Sequence, residues 1–114
     1  ESHYPPPTPV AMQERATLLD TLAALHGAGR KVALIHMSDM PATHAALRLP
    51  AAPDGFAHAL SAARRARDGQ GAEVILVEAP PQGGHWLGVN DRLRRAAHGS
   101  TGIVHGLLNT QAKV

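Results

Sequence analysis

Two continuous apolar runs, VALI within residues 31–36 and VILV within residues 73–78, are separated by segments with helical spacing of apolar positions. Each run is too short for an independent helix. An uninterrupted apolar run of this length is typical of a strand that is buried on both faces. We therefore predict two interior strands of a parallel sheet, with a further brief strand at residues 47–49.

Three longer segments carry the periodicity of amphipathic helices. The first covers residues 11–26 and ends at Gly27 and Gly29, the second follows Asp54 as its N-cap, and the third ends at Gly99. The predicted inner stripes are Leu18, Leu22 and Leu25, then Phe56, Leu60 and Ala63, then Val89, Leu93 and Ala96 or Ala97. A short fourth helix is predicted at residues 41–46.

Buried strands that alternate with helices indicate an α/β protein whose sheet is covered on both sides. We predict a small Rossmann-like three-layer domain with a mostly parallel sheet over residues 10–99. Residues 1–9, ESHYPPPTP, contain four prolines and are predicted to be an extended interdomain linker. Residues 100–114 carry few periodic signals and are predicted to be a loose C-terminal tail.

Composition narrows the function classes. The 114 residues suit one domain, and the net charge of +2 is too small to indicate nucleic-acid binding by itself. The absence of cysteine excludes disulfides and thiolate chemistry. No apolar run approaches the roughly 18 to 20 residues of a membrane span, and we expect a soluble, cytoplasmic protein. Because the chain begins at Glu1 without methionine, we also expect a preceding domain.

One loop is a candidate ligand site. Gly83, Gly84, His85 and Trp86 follow the second apolar strand and precede a helix, and in open α/β folds ligands bind at that edge of the sheet. The alternative is a crossover loop with Trp86 folded onto the sheet, and we favour it. The other glycine pair, Gly27 and Gly29, precedes a strand, so a helix stop explains it better than phosphate binding.

Arginines cluster on two of the predicted helices and form a candidate basic surface. The residues are Arg64, Arg65 and Arg67 on the second helix, and Arg92, Arg94 and Arg95 on the third. Such a surface could contact RNA phosphates. Aromatic residues are not interleaved with these arginines, and we favour solvated helix faces.

Catalytic and metal-binding patterns are not found in the sequence. The eight histidines are scattered without the paired spacing of helix-borne metal ligands. Glu73 and Glu78 are five residues apart on one strand and are predicted to point to opposite faces, which makes them a poor acid/base pair. We predict neither a catalytic residue nor a metal site in this chain.

Three stretches together resemble one family. These are residues 2–10, with His-Tyr-Pro-Pro followed by Thr-Pro-Val, then QGAEVILVE at residues 70–78 and NDRLRRAA at residues 90–97. In order and spacing they resemble the C-terminal domain of two-domain threonylcarbamoyl-AMP synthases, with part of the interdomain linker. The chain departs from the family in having Tyr-Pro-Pro where Tyr-Ala-Pro is common.

The resemblance implies a role that the composition does not show. The family makes threonylcarbamoyl-AMP from threonine, bicarbonate and ATP, for the threonylcarbamoyladenosine modification of tRNA. The nucleotidyltransferase chemistry belongs to an N-terminal domain, which would hold ATP, with magnesium as a candidate second cofactor. This chain would then be a non-catalytic accessory domain without its own cofactor, partnered by that synthase domain and, as a further candidate, by tRNA or the tRNA-modification machinery. His3 and Tyr4 of the linker would approach the substrate there.

Two other hypotheses remain open. The chain could be a free-standing nucleotide- or anion-binding module that uses the Gly83–Trp86 loop, or an RNA-contacting appendage that uses the arginine-bearing helices. The first predicts ligand affinity of the isolated chain, and the second predicts tRNA binding that weakens steeply with salt.

Overall fold

Four parallel strands form the centre of the fold, with helices on both faces. A computed structural model describes residues 8–38, 46–50, 52–67, 71–98 and 102–109. The elements in chain order are β1 (Val10–Gln13), α1 (Arg15–Gly27), β2 (Val32–His36), β3 (Ala46–Arg48), α2 (Pro53–Arg67), β4 (Val74–Glu78), a 3₁₀ turn (Gly84–Trp86), α3 (Leu87–His98) and α4 (Ile103–Asn109). The prediction of a small Rossmann-like α/β domain is confirmed.

The strand order is β1-β4-β2-β3, so β4 lies between β1 and β2 although it is the last of the described strands along the chain. Val10 pairs with Ile75 on one side of β4, and Val32 pairs with Val74 on the other. Every residue of β2 and β4 is buried. This is the burial that their uninterrupted apolar runs predicted, because helices cover both faces of a parallel sheet.

Alternate side chains of the strands enter two separate cores. On one face Ile75 and Val77 pack with residues of α2 and α3, including Phe56 and Leu93. On the other face Val74 and Leu76 pack with Leu18, Leu22 and Leu25 of α1. The predicted inner stripes are confirmed at the leucines of α1, at Phe56 and Leu60 of α2 and at Val89 and Leu93 of α3. The side chain of Ala63 lies outside what the structure describes.

Helix α4 corrects the prediction of a loose tail, since residues 103–109 are helical. Its Ile103, Val104, Leu107 and Leu108 are partly buried against the α1 face of the sheet. Ala97 of α3 and residues 102–105 also line a cavity of about 250 Å³ beside β1. The C-terminal segment thus completes the second face and flanks the edge strand.

The first predicted helix begins too early. Residues 10–13 form β1, and the helix starts at Arg15. The reason is pairing with β4: Ile75 N donates to Pro9 O and Ala79 N donates to Gln13 O, both at 2.8 Å. These bonds to a strand some 65 residues away override the local helical periodicity.

Two smaller expectations also change. Helix α2 begins at Pro53, where the fixed φ of proline suits a first helical position, so Asp54 lies in the first turn and is not the N-cap. The helix predicted at residues 41–46 falls on residues outside the described part of the chain, except Ala46, which begins β3.

Candidate binding site at the carboxyl edge of the sheet

The carboxyl ends of β1 and β4 form a topological switch point. The two strands are neighbours, but the helix after β1 packs on one face of the sheet and the helix after β4 packs on the other. The helices diverge from such a pair of strands and leave a crevice. In open α/β sheets this crevice is where ligands bind.

Glu78, the last residue of β4, is the buried charged group at this edge, with 6% of its surface exposed. Its Oε1 accepts hydrogen bonds from the backbone N–H groups of Met37 at 2.7 Å and Ser38 at 3.0 Å. Its Oε2 accepts one from the Ser38 hydroxyl at 2.8 Å. These three bonds tie the end of β4 to the residues that follow β2.

The carboxyl group of Glu78 is held in its charged form. Burial alone raises the pKa of Glu78, but the hydrogen bonds from Ser38 and Met37 and the nearby His36 outweigh it and hold the pKa below its usual value. His36 Nδ1 lies 2.7 Å from the Ser38 carbonyl oxygen. Since a carbonyl only accepts, that ring nitrogen is the donor.

A cavity of about 350 Å³ opens at the same edge. Glu14 and Arg15 line it at the start of α1, and Met37 lines it after β2. The remaining wall is formed by Glu78 and the residues of the loop that follows, through Gln82. The cavity therefore combines residues that follow or end β1, β2 and β4, with two carboxylates and one guanidinium among its walls.

The predicted loop Gly83–Trp86 lies beside this cavity as a short 3₁₀ turn rather than an open loop. Trp86 is buried, with its ring edge-on to Phe56 at 5.7 Å between centroids, whereas Gly83, Gly84 and His85 are exposed. Trp86 thus packs into the core, as the structural alternative expected. His85 and Trp86 line a second cavity of about 330 Å³ together with Asp54, whose negative charge disfavours an anion there.

Asn90 holds the segment between β4 and α3 in place. Its side-chain amide donates to the carbonyl oxygens of Pro81 at 2.9 Å and Trp86 at 3.1 Å. Asn90 is 2% exposed, and its own carbonyl oxygen has no hydrogen-bond partner. One buried side chain thereby holds the segment from Pro81 to Trp86 in place through two hydrogen bonds.

The arginine surfaces remain predictions. Arg92, Arg94 and Arg95 are exposed on α3, and Arg94 and Arg95 lie 3.7 and 2.7 Å from the carboxylate of Asp91. Arg65 is exposed on α2, whereas the side chains of Arg64 and Arg67 lie outside what the structure describes. The linker residues His3 and Tyr4 likewise fall outside the described residues.

Two general properties can be stated for the described residues. They contain no group of three or more His, Asp and Glu side chains arranged to hold a metal ion. None of the helices described is both long enough and apolar enough to cross a membrane.

Sequence reasoning missed the role of Glu78. The sequence pattern suggested Glu78 only as a partner for Glu73, but Glu73 precedes β4, Glu78 ends it, and the two side chains have different partners. The available signal was its position, because a charged residue that ends a buried strand lies at the carboxyl edge and needs hydrogen-bond donors there.

Comparison with known proteins identifies a family. The family model described as threonylcarbamoyl-AMP synthase, C-terminal domain, matches residues 1–98. No curated protein matches the chain, and no solved structure matches it.

Proposed function

Since this chain belongs to the family of threonylcarbamoyl-AMP synthase C-terminal domains, we propose that it serves such a synthase as a non-catalytic accessory domain. The synthase would convert threonine, bicarbonate and ATP to threonylcarbamoyl-AMP for tRNA modification in the cytoplasm. ATP, and magnesium with it, would be held by the catalytic domain. The partner of this chain is then that domain.

The observation that supports a non-catalytic role is the state of Glu78. A general acid or base needs a pKa near the working pH. The pKa of Glu78 is lowered instead, and three short hydrogen bonds engage both carboxylate oxygens. The Glu78 carboxylate therefore stays ionised and joins the ends of β4 and β2. Its role at this edge is structural.

The direction of β1 supports the role that we propose for the linker. Pro9 accepts a hydrogen bond from Ile75, so the chain enters the sheet at its amino edge, opposite the Glu78 cavity. In the proposal, His3 and Tyr4 extend from this entry towards the catalytic domain and position substrate there. The carboxyl edge is then left free for other contacts.

The test is formation of threonylcarbamoyl-AMP from ATP, threonine and bicarbonate. Three samples are compared: this chain, a catalytic domain of the family, and a joined protein in which that catalytic domain is fused to Glu1 of this chain. We expect no product from this chain alone and more product from the joined protein than from the catalytic domain. Product from this chain alone would overturn the proposal.

Two linker variants refine the test. In the joined protein, His3→Ala and Tyr4→Ala are expected to lower turnover, whereas Arg65→Ala, a change of an exposed side chain of α2, serves as the control. Equal rates for all three variants would remove the linker from the mechanism. Salt-sensitive tRNA binding by this chain would instead favour the RNA-contacting alternative.

A further inference from the structure

We propose that the α1 face of the sheet is a helix-binding groove, and that α4 occupies it as a displaceable cover whose place an amphipathic helix of a partner protein takes. The inference concerns the chain alone and does not rest on the synthase assignment. It combines the apolar pattern of α4, its shallow burial, the arginine that holds its last turn and the space left beside its first turn.

Helix α4 shows what the groove accepts. Its four apolar side chains are spaced at i, i+1, i+4 and i+5, and each is partly buried against the α1 face: Ile103, Val104, Leu107 and Leu108. The core that they pack against includes Leu22 and Val32, which keep 5% and 8% of their surface exposed. An amphipathic helix with the same spacing of apolar residues is therefore the partner that the groove fits.

Helix α4 is only weakly held in this position. Its seven residues are fewer than the roughly 12 to 15 that an isolated helix needs to be even marginally stable, and Gly106 lowers its helix propensity further. Each of the residues 103–109 is partly or fully exposed, and the helix mainly contacts α1. Strands β2 and β4 pair directly with each other, so the sheet stays joined when α4 leaves.

Arg30 holds the last turn of α4. Its Nε donates to the carbonyl oxygen of Leu107 at 3.1 Å, and its Nη1 donates to Glu73 Oε1 at 2.8 Å. The last carbonyl groups of a helix have no partner within the helix, and a cation beside them is favoured by the helix dipole. Because Glu73 fixes the guanidinium group beside β4, the same donor stays in place for the last turn of an incoming helix.

The groove is incompletely filled beside the first turn of α4. A cavity of about 250 Å³ lies there, with Ile103 and Val104 on one side and residues 10–13 of β1 on another. Gln13 also lines this cavity, and its Oε1 is buried without a hydrogen-bond partner. A buried acceptor without a donor is unfavourable. A partner helix with a larger side chain and a hydrogen-bond donor at this position therefore fits better than α4 does.

The first measurement is amide hydrogen exchange of the ¹⁵N-labelled 114-residue chain. The amide of Gly106, which donates to Gly102 O at 2.9 Å, and those of residues 107–109 report on α4. We expect their protection to be at least about a hundredfold lower than that of Leu34 and Leu76, with a weaker urea dependence, because opening α4 exposes little surface. Equal protection and equal urea dependence would overturn the proposal, since α4 would then leave only on global unfolding.

The second measurement is a titration with a synthetic peptide that has the sequence of residues 100–114 and the substitution Gly106→Ala, which favours the helix. We expect saturable amide shifts at Leu22 and Leu25 of α1 and at residues 103–109 as the peptide displaces α4. The control peptide carries Leu107→Ser and Leu108→Ser in addition. It is expected to bind at least about tenfold more weakly, because it lacks half of the apolar contacts.

Variants of the chain itself give the sharpest test. Leu107→Ala weakens α4 but leaves the groove intact, so the peptide should bind about fivefold more tightly, because its apparent affinity follows the fraction of open groove. Leu108→Ala is a second, independent variant with the same expectation. Leu87→Ala, at a leucine of α3 that is 63% exposed, is the matched control and should leave the affinity unchanged.

The outcomes decide in both directions. Tighter peptide binding by both variants, with the protection of α4 lowered by about the same factor, supports the groove. The proposal is overturned by an absence of saturable shifts in the wild type and both variants, by equal binding of the serine control peptide, or by an affinity that neither variant changes. A wild-type dimer that the peptide dissociates would make the occupant a second copy of this chain and overturn the assignment to a partner helix.

Discussion

Arg30 and Glu73 form an ion pair across the amino edge of the sheet, with 2.8 Å between Arg30 Nη1 and Glu73 Oε1. The same guanidinium group donates through Nε to the carbonyl oxygen of Leu107 at 3.1 Å, and Glu73 Oε2 accepts the backbone N–H of Lys31. One arginine thus connects the residue before β4 with the last turns of α4. The arginine is only 10% exposed, so solvent screens this pair less than an ordinary surface pair.

The pair predicts a measurable coupling energy. We expect Arg30→Ala and Glu73→Ala to be non-additive by about 1 kcal/mol in a double-mutant cycle, because each removes the same contact. Urea unfolding of the four proteins measures this. Arg94→Ala and Asp91→Ala, an exposed pair on α3, form the control cycle and should couple by less. Full additivity of the Arg30 and Glu73 changes would contradict the prediction.

The lowered pKa of Glu78 predicts a pH-dependent stability. Its pKa is below the unfolded value of about 4.3, so its contribution is fully present above that value and is lost as pH falls through the folded pKa. The free energy of unfolding of the wild type should therefore exceed that of Glu78→Gln at neutral pH, and the gap should narrow in acid.

The measurement is urea unfolding of both proteins from neutral pH down to the acid limit of folding. Glu14→Gln removes an exposed carboxylate from the same edge and controls for the change in net charge. The difference in unfolding free energy between wild type and Glu78→Gln should shrink in acid. If it stays constant or widens below about pH 4, the charge of Glu78 is not the stabilising feature.

Asn90 predicts an asymmetry between two substitutions. Asn90→Ala removes the donor to the Pro81 and Trp86 carbonyl oxygens and should cost about 1 to 3 kcal/mol of unfolding free energy. Asn90→Asp should cost more, because it places a buried carboxylate against two acceptors. Trp86 is the single tryptophan, so its fluorescence reports both unfolding and local loosening. Equal cost for the two variants would contradict the geometry.

Helix α4 predicts that the stable unit extends beyond the family match. Removing residues 99–114 uncovers the partly buried side chains of the α1 face, and we expect a loss of about 2 to 4 kcal/mol. Denaturant unfolding of residues 1–98 and 1–114 compares them directly. Leu107→Ala in the 114-residue chain is a milder version of this change, and His105→Ala, which alters an exposed side chain of α4, is the control. Unchanged stability of the shorter chain would show that α4 adds nothing to the core.

The predictable parts of the fold were those with a strong local pattern. The apolar runs around Val32 and Val74 defined β2 and β4, and the stripe at Leu18, Leu22 and Leu25 defined the inner face of α1. Strand β1 was not predictable in this way, because Val10 to Gln13 become a strand only through pairing with β4. Helix α4 was missed for a similar reason, since its half-buried face depends on the presence of α1.

The candidate site was predicted only as a region. The carboxyl edge after β4 was identified from the order of strand, loop and helix, and the Gly83–Trp86 segment was chosen because glycines and an aromatic residue stood out. The residues at the cavity are Glu78 and Arg15, each unremarkable in the sequence. They come together because β4 inserts beside β1, a relationship that periodicity alone does not contain.

The insertion of β4 between β1 and β2 also constrains how the chain is made. Strands β1 and β2 are not hydrogen-bonded to each other, and β4, which lies between them, is translated some 40 residues after β2. An emerging polypeptide that stops before Val74 contains β2 and β3, which pair with each other, but it lacks the strand that joins β1 to them. Pairing of strands this far apart in the sequence is slow, because closing a long loop costs chain entropy. The nascent chain therefore stays without its native core until β4 has left the ribosome, and the apolar segments translated before β4 remain unburied until then.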